Sequence, residues 1–245
     1  FRHSSFFVKR STNGILWARL TWSCDPRAPM ETYPLSLTDH PVLILDGACG
    51  TNLQELHLPD SVWAGAEGCT EILNVTAPEA IQGLHRAFVD AGAMVLETNS
   101  FGANRIVLGE YDMADRVVEI NRLSVEHARA AIGDQPDCYV AGSVGPTTKL
   151  PSLGHISRDD MATAYAEQFQ ALAEAGVDLF IIETCQDLLQ AKTALVTCYE
   201  VQEELGLEIP VIISVTIERT GTMLLGTDIA AVVATFEPFP LLALG

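Results

Sequence analysis

The sequence is poor in basic residues and lacks any long apolar run. It has 14 Lys and Arg against 32 Asp and Glu, a formal net charge of −18. A surface this acidic repels phosphate backbones and argues against nucleic-acid binding. No apolar run reaches the about 18 residues that cross a bilayer, so we expect a soluble chain with no membrane partner. The hydrophobic content, 48%, is enough to fill a globular core.

Several short motifs are also missing. No GxGxxG follows the first apolar run and no GxxxxGK[ST] occurs, which argues against dinucleotide and P-loop sites. The cysteines form no CxxC pair and the histidines show no metal-ligand spacing. We interpret the thiols as reduced and the location as cytoplasmic. The six cysteines are Cys24, Cys49, Cys69, Cys138, Cys185 and Cys198.

The first 29 residues differ in composition from the rest. They hold five basic residues and one acid, and the sequence begins with Phe1 rather than Met. Met30 is a plausible start. Such a stretch is typical of some transit peptides, but we favour a disordered or non-native extension. We predict an N-terminal extension over residues 1–35 and a domain over residues 36–245.

From residue 42 onward, apolar runs alternate with helical patterns. The runs have little polar alternation, which is typical of parallel strands buried on both faces by helices. Both a doubly wound sheet and an eight-stranded β/α barrel show this order. The predicted strands are 42–45, 93–96, 138–144, 179–182, 210–217 and 241–244, and the predicted helices are 78–90, 112–132, 157–175, 188–205 and 229–236.

An internal similarity favours the barrel. Residues 90–92 (DAG) and 174–176 (EAG) each lead into a strand that ends in Glu-Thr, at 97–98 and 183–184. In β/α barrels the carboxyl ends of the strands carry the active site. Ala-Gly before a strand is also a common helix stop, so this similarity alone does not decide. We predict a (β/α)8 barrel, incomplete at its C-terminus, with about five strand–helix units and the start of a sixth strand.

Three acids, Asp46, Glu97 and Glu183, directly follow predicted buried strands. A carboxylate there is desolvated unless a partner neutralises it, and the amino group of a ligand would do so. Gly47 would let the backbone approach a ligand, and Asn99 could add a hydrogen bond. The alternative is that each acid caps a helix or pairs with an Arg. We interpret Cys49 and Cys185, also near strand ends, as small buried residues rather than metal ligands.

Four segments, in unbroken order, resemble the homocysteine S-methyltransferase family. The later segments 214–216, 220–228 and 237–240 look like its cobalamin-dependent methionine synthase branch. The resemblance covers roughly residues 40–245. The four segments are DGACGT at 46–51, LETNSFGA at 96–103, GSVGP at 142–146 and IIET at 181–184.

The resemblance implies a β/α barrel that binds homocysteine through Asp46, Gly47 and Glu183, with Glu97 and Asn99 close by. It implies zinc, which would stabilise the homocysteine thiolate, and methylcobalamin as methyl donor, remethylated by 5-methyltetrahydrofolate. The partners would be homocysteine and downstream pterin- and cobalamin-binding domains of the same full-length chain.

The family's zinc thiolates would come from segments that begin where Gly245 stands. We therefore expect the zinc ligands just beyond Gly245, no catalytic or metal-binding residue within the sequence, and no activity from these residues alone. Two alternatives stay open. One is a stand-alone homocysteine methyltransferase that uses betaine or S-methylmethionine, and the other is an inactive truncated scaffold.

Overall fold

The computed structural model describes residues 42–245 and the backbone of residues 7–9. Strand β1 (Phe7–Lys9) runs antiparallel to β2 (Val42–Ile44). The rest of the predicted N-terminal extension, with Cys24 and Met30, lies outside the described residues. The predicted boundary at residues 35 and 36 therefore stays a prediction.

Six parallel strands follow one another in chain order. β2 joins the sheet beside β3 through a parallel bridge between Leu45 and Val95, and the Met94 backbone N–H donates to the Ile44 carbonyl at 2.8 Å. From β3 onward each strand pairs in parallel with the next. Over residues 42–245 the strands form an open α/β arc that does not close into a barrel. The further strands are β3 (Val95–Glu97), β4 (Tyr139–Val144), β5 (Leu179–Cys185), β6 (Val211–Val215) and β7 (Ala243–Leu244).

Eight α-helices lie between these strands in the described part of the chain. All five predicted helices are present. Within this part of the chain, no helix combines the length and hydrophobicity needed to cross a bilayer. The helices are α1 (Cys49–Glu55), α2 (Leu73–Thr76), α3 (Pro78–Asp90), α4 (Arg105–Gly109), α5 (Val117–Ile132), α6 (Arg158–Glu174), α7 (Leu188–Leu205) and α8 (Ile229–Phe236).

Local sequence explains where the long helices begin and end. Helix α3 begins at Pro78, whose missing N–H costs nothing in the first turn. The Ser157 hydroxyl caps α6 by accepting from the Asp160 backbone N–H at 3.1 Å. Gly92 and Gly176, just after α3 and α6, take positive φ angles of 98° and 87°. These are the glycine stops that the sequence predicts.

The structure differs from the sequence prediction at α5 and at three short helices. The prediction began α5 at residue 112, but Asp112 has a φ of 57°, which breaks the helical path, and the helix begins at Val117. Helices α1, α2 and α4 were not predicted. Helix α4 is capped by the Asn104 side chain, which accepts from the N–H groups of Ile106 and Val107. All three helices are too short for a periodic hydrophobic pattern to reveal them.

Strands β3 to β6 are largely buried on both faces, as apolar runs without polar alternation predict, whereas Ile44 on β2 is exposed and β7 is half-buried. Phe180 faces the helices and meets the Phe169 ring edge-on at 5.2 Å. Its neighbours Leu179 and Ile181 point to the opposite face, where they pack with Val95. Since side chains alternate along a strand, Glu97, Ser143, Glu183 and Ser214 continue that second face at the carboxyl ends of the strands.

Candidate functional site

A cavity of about 340 Å³ lies at the carboxyl ends of the strands, next to the second face of the sheet. All five residues predicted to bind substrate line it, namely Asp46, Gly47, Glu97, Asn99 and Glu183. The fold thus brings together residues that are up to 137 positions apart in the sequence, from Asp46 to Glu183. The other lining residues are Ala48, Cys49, Gly50, Thr70, Glu71, Thr98, Phe101, Ser143, Ile181 and Ser214.

Glu183 is aimed by an irregularity in strand β5. The pairing register with β6 shifts between Ile182 and Cys185, and Thr184 takes a φ of 57°. A β-branched residue rarely adopts this left-handed conformation, so the backbone is strained next to the acid. The Ser143 hydroxyl then donates to Glu183 Oε1 at 2.6 Å. The sequence prediction ended this strand at residue 182 and missed the bulge, because no glycine marks it.

The three predicted acids are close enough to perturb one another. The Glu97 backbone N–H donates to Asp46 Oδ1 at 3.1 Å, and the Glu183 side chain is near enough to Glu97 to raise the pKa of that carboxyl. Burial, opposed by that backbone bond and assisted by the Glu183 charge, raises the pKa of Asp46 to about 8. Burial and the same neighbouring acids raise the pKa of Glu97 well above its usual range. Among the described residues, no Lys or Arg lines the cavity, so a proton or a bound cation would supply the positive charge.

Asn99 is held by bonds within the protein. Its amide group donates to the Thr70 carbonyl at 2.8 Å and to Asn74 Oδ1 at 3.3 Å. The Asn74 amide donates back to the Asn99 carbonyl at 2.7 Å. The remaining acceptor, Asn99 Oδ1, faces the Cys49 thiol at 3.6 Å. Asn99 therefore has little free hydrogen-bonding capacity for a ligand and mainly shapes the wall of the cavity.

Gly47 lines the cavity with its backbone. A Cβ atom at this position would lie 3.3 Å from Cε1 of the Phe88 ring on α3, so the glycine allows close packing against the helix. That reason for a glycine was not foreseen, since the sequence argument assumed close approach to a ligand.

Sequence reasoning missed a fourth acid, Glu71. Only 5% of this residue is exposed, and its Oε1 accepts from the Gly102 backbone N–H at 2.6 Å. Its Oε2 lies 3.4 Å from the Cys69 thiol. Glu71 lies in the short 3-10 turn Thr70–Ile72 rather than after a strand, so the strand-end rule could not find it.

Phe101 forms a wall between two cavities. Its ring lies against Gly145, where an added Cβ would come within 2.7 Å of two ring carbons. The Gly145 backbone N–H also donates to the Phe101 carbonyl at 2.9 Å. Phe101 and Glu71 line both the acidic cavity and a neighbouring one of about 330 Å³. The close contact explains the glycine in the GSVGP segment.

The described residues do not form a zinc site. Cys49 lines the cavity, but burial and four surrounding acids raise the pKa of its thiol and disfavour the thiolate that zinc needs. Burial raises the pKa of Cys185 to about 12, and this residue does not line the cavity. Within residues 42–245, no group of three or more His, Cys, Asp or Glu side chains is arranged to hold a metal ion.

The architecture and the position of the cavity define a class. Parallel strands covered by helices, with an acidic cavity at their carboxyl ends, are the arrangement of a β/α-barrel enzyme site. The sequence model of the homocysteine S-methyltransferase family matches residues 43–245, and the chain belongs to that family.

Two curated relatives are methionine synthases from mycobacteria. The protein from Mycobacterium leprae is 43% identical over 201 residues, which cover 80% of this chain and 17% of the relative. The protein from Mycobacterium tuberculosis is 42% identical over 212 residues, which cover 85% of this chain and 18% of the relative. The chain thus spans less than a fifth of the length of the curated relatives it matches.

Solved structures of the homocysteine methyltransferase MmuM from Escherichia coli have the same fold. The metallated form superposes with a TM-score of 0.69 at 25% identity, covering 86% of this chain and 76% of that one. The apo form gives a TM-score of 0.63 with 86% and 73% coverage. This likeness confirms the predicted α/β barrel class, as an arc that is open over the described residues.

Proposed function

We propose that the acidic cavity binds homocysteine and that the protein transfers a methyl group to the homocysteine sulfur, giving methionine. Membership of the family supports this reaction. One observation carries the assignment to this cavity, namely the convergence of Asp46, Glu97 and Glu183 where no Lys or Arg of residues 42–245 lines the cavity. An amino acid's ammonium group is the counter-charge that such a cluster lacks, and its binding would favour the ionised carboxylates.

The residues have different roles in this proposal. Glu183, aimed by the bulge and oriented by the Ser143 hydroxyl, accepts a hydrogen bond from the ligand ammonium group. Asp46 adds a second negative charge, and Glu97 lies beside both acids. Gly47 and Asn99 shape the wall through their contacts with Phe88, Thr70 and Asn74. The side chains thereby fix the amino-acid end of the ligand and leave the sulfur free to react.

The reaction is a displacement at carbon. An electron pair of the homocysteine sulfur forms a bond to the methyl carbon, the bond between that carbon and the donor breaks with its electrons staying on the donor, and the thiol proton is lost to solvent. The resemblance gives methylcobalamin as donor and zinc as the ion that favours the thiolate. The described residues contain no set of ligands for zinc or for cobalamin. The roles proposed above for individual residues therefore do not depend on either group.

The methionine synthase branch is the preferred version of this proposal. The mycobacterial relatives are 42–43% identical to the chain, whereas the homocysteine methyltransferase from Escherichia coli is 25% identical. A full-length chain of that kind would also carry the pterin- and cobalamin-binding domains as partners, in the cytoplasm. The second candidate is a homocysteine methyltransferase that takes its methyl group from betaine or S-methylmethionine.

The test measures ligand binding and turnover separately, with the full-length protein. Isothermal titration should detect L-homocysteine but not 4-mercaptobutyrate, which keeps the thiol and the carboxylate and lacks the ammonium group. Methionine should form with methylcobalamin, and not with betaine or S-methylmethionine. Equal binding of the two thiols would refute the assignment of the acidic cavity, and turnover with betaine alone would favour the second candidate.

A further inference from the structure

A buried histidine beside the cavity has no hydrogen-bond partner. His85 lies on α3 with 1% of its surface exposed, and neither Nδ1 nor Nε2 is bonded to any group in the described part of the chain. Five other buried side chains of residues 42–245 have a polar atom without a partner. Four are amides, each of which forms a hydrogen bond through its other polar atom, and the fifth is Thr197, which has a single hydroxyl. A ring with both nitrogens unpaired is costly and calls for an explanation. The four amides belong to Asn104, Asn121, Gln168 and Gln190.

An acidic side chain of the site lies close to His85. His85 Nδ1 lies 3.9 Å from Asp46 Oδ2, and the two side chains are 2% and 4% exposed. The other carboxylate oxygen, Oδ1, already accepts from the Glu97 backbone N–H. A separation of 3.9 Å is too long for a hydrogen bond, but a small movement of either side chain would make one. Hydrogen bonds at reactive sites are often long until the ligand is bound.

The surroundings keep His85 neutral and able to donate. Burial, with a smaller contribution from His127 on α5, lowers the pKa of His85 to about 4. His127 itself is fully bonded, to the Gln82 amide at 3.1 Å and the Asn74 carbonyl at 2.7 Å. A neutral imidazole with its proton on Nδ1 would therefore present an N–H group to Asp46.

The groups that face Asp46 make its ionisation unfavourable. Glu97 at the end of β3 and Glu183 on β5 are acids, and Cys49 on α1 is a thiol whose pKa the Asp46 charge raises. His85 on α3 is the one described ionisable side chain beside Asp46 that is not an acid or a thiol. It is therefore the side chain placed to compensate a negative charge on Asp46 from the buried side.

We propose that His85 is a positioning residue for Asp46, donating its Nδ1–H to Oδ2 whenever Asp46 is ionised, a state that the entry of a ligand ammonium group into the cavity favours. The inference rests on the proposed function, because it takes the ligand to be an amino acid. His85 does not touch the ligand. Its hydrogen bond stabilises the charged form of the Asp46 carboxylate. The same bond fixes Oδ2, the oxygen that does not accept from the Glu97 backbone N–H.

The role has a signature in the pH dependence of binding. Homocysteine requires ionised Asp46, so its affinity rises as the pH rises through the pKa of that group. Without the His85 donor, ionised Asp46 loses a charge-assisted hydrogen bond. The pH range over which homocysteine affinity rises then moves up by about one pH unit. The ligand's own ionisations are the same for every variant, so a comparison of variants isolates the protein.

The experiment measures homocysteine affinity by titration calorimetry between about pH 6 and pH 9 in the full-length protein and three variants. His85→Leu removes the donor. His85→Asn keeps an amide N–H near the position of Nδ1, whereas His85→Gln places it near Nε2. We expect roughly ten-fold weaker binding near pH 7 for the Leu and Gln variants, with the limb shifted, and recovery in the Asn variant. Should the Leu variant fail to fold, the comparison of Asn with Gln still decides.

A matched control is Thr197→Val, which removes a buried unpartnered hydroxyl on α7 that does not line the cavity. It should leave the pH profile unchanged. Weaker binding by the same factor at every pH in the Leu and Gln variants, or equal behaviour of Asn and Gln, would overturn the role of His85 while leaving the proposed function intact. A parent protein that binds no homocysteine at any pH would overturn the proposed function and this inference with it.

Discussion

The backbone N–H of Glu97 donates to the Asp46 carboxylate at 3.1 Å, and this bond joins the ends of β2 and β3 at the floor of the acidic cavity. The bond lowers the pKa of Asp46, but burial has the larger effect and the pKa is raised to about 8. The protein therefore places an acid where its charge is unstable until something compensates it.

The first prediction concerns Glu183→Gln in the full-length protein. The substitution keeps the shape of the side chain and its bond from Ser143, but removes the charge that would hold the ligand ammonium group. A charge-assisted hydrogen bond contributes about 1.5–3 kcal/mol, so homocysteine affinity should fall roughly ten- to a hundred-fold. Titration calorimetry measures the dissociation constant, and circular dichroism checks that the fold is retained.

Glu119→Gln is the matched control for this substitution. Glu119 lies exposed on α5, where it pairs with Arg116 at 2.8 Å, and a surface pair of this kind contributes little. Homocysteine affinity should not change in this variant. If Glu183→Gln bound homocysteine as tightly as the parent protein, the carboxylate would have only a structural role.

The second prediction is that Asp46→Asn stabilises the domain while weakening ligand binding. The pKa of Asp46 is about 8 in the folded state against 3.8 ordinarily, so over this range the folded state keeps a proton that the unfolded state releases. Stability therefore falls as the pH rises from about 4 to about 8. Replacing the acid with a neutral amide removes this loss, which is on the order of 5 kcal/mol near pH 8.

Thermal unfolding at several pH values tests this prediction. The melting temperature of Asp46→Asn should exceed that of the parent protein near pH 8, and the two should converge near pH 4. Homocysteine affinity should fall about ten-fold, since a charge near the ligand ammonium group is lost. A variant that is destabilised equally at every pH would show that Asp46 is ionised in the folded state.

The third prediction concerns the contact between Gly145 and Phe101. In Gly145→Ala the new Cβ would come within 2.7 Å of two carbons of the Phe101 ring, which must move into one of the two cavities it lines. We expect a destabilisation of about 1–3 kcal/mol and weaker homocysteine binding. Denaturant unfolding gives the first quantity and titration calorimetry the second.

Gly83→Ala provides a control of opposite sign. Gly83 lies within α3, and a Cβ there would meet nothing within 4 Å. Alanine favours a helix over glycine, so this variant should be more stable by about 0.5–1 kcal/mol and should bind homocysteine normally. Unchanged binding and stability in Gly145→Ala would mean that the Phe101 ring has no fixed position.

The fourth prediction concerns metal binding by the 245-residue chain. A structural or catalytic zinc site needs three or four suitably placed ligands, and residues 42–245 contain no such group. The chain, washed with EDTA and reloaded with zinc, should hold much less than one equivalent by elemental analysis. Stoichiometric zinc that is lost in Cys49→Ser or Cys185→Ser would show that these thiols are ligands.

The order of strands and helices could be predicted from the sequence because it depends on local pattern. Apolar runs without polar alternation identified the buried parallel strands. The long helices were marked by capping residues such as Ser157 and by glycines at which a helix ends, such as Gly176. The strand-end rule also predicted that Asp46, Glu97 and Glu183 would meet, since parallel strands bring their carboxyl ends to one edge.

Other features are decided only by tertiary contacts. Glu71 comes from a turn, and only the folded chain carries it to the Gly102 amide beside the other acids. Thr184 adopts a left-handed conformation that a β-branched residue disfavours, and the surrounding sheet holds it there. The raised pKa of Asp46 and the unpaired ring of His85 have the same origin, because burial by distant segments removes the water that would otherwise solvate them. Sequence fixes which groups can ionise, and only the packing of the folded chain decides how much each charge costs.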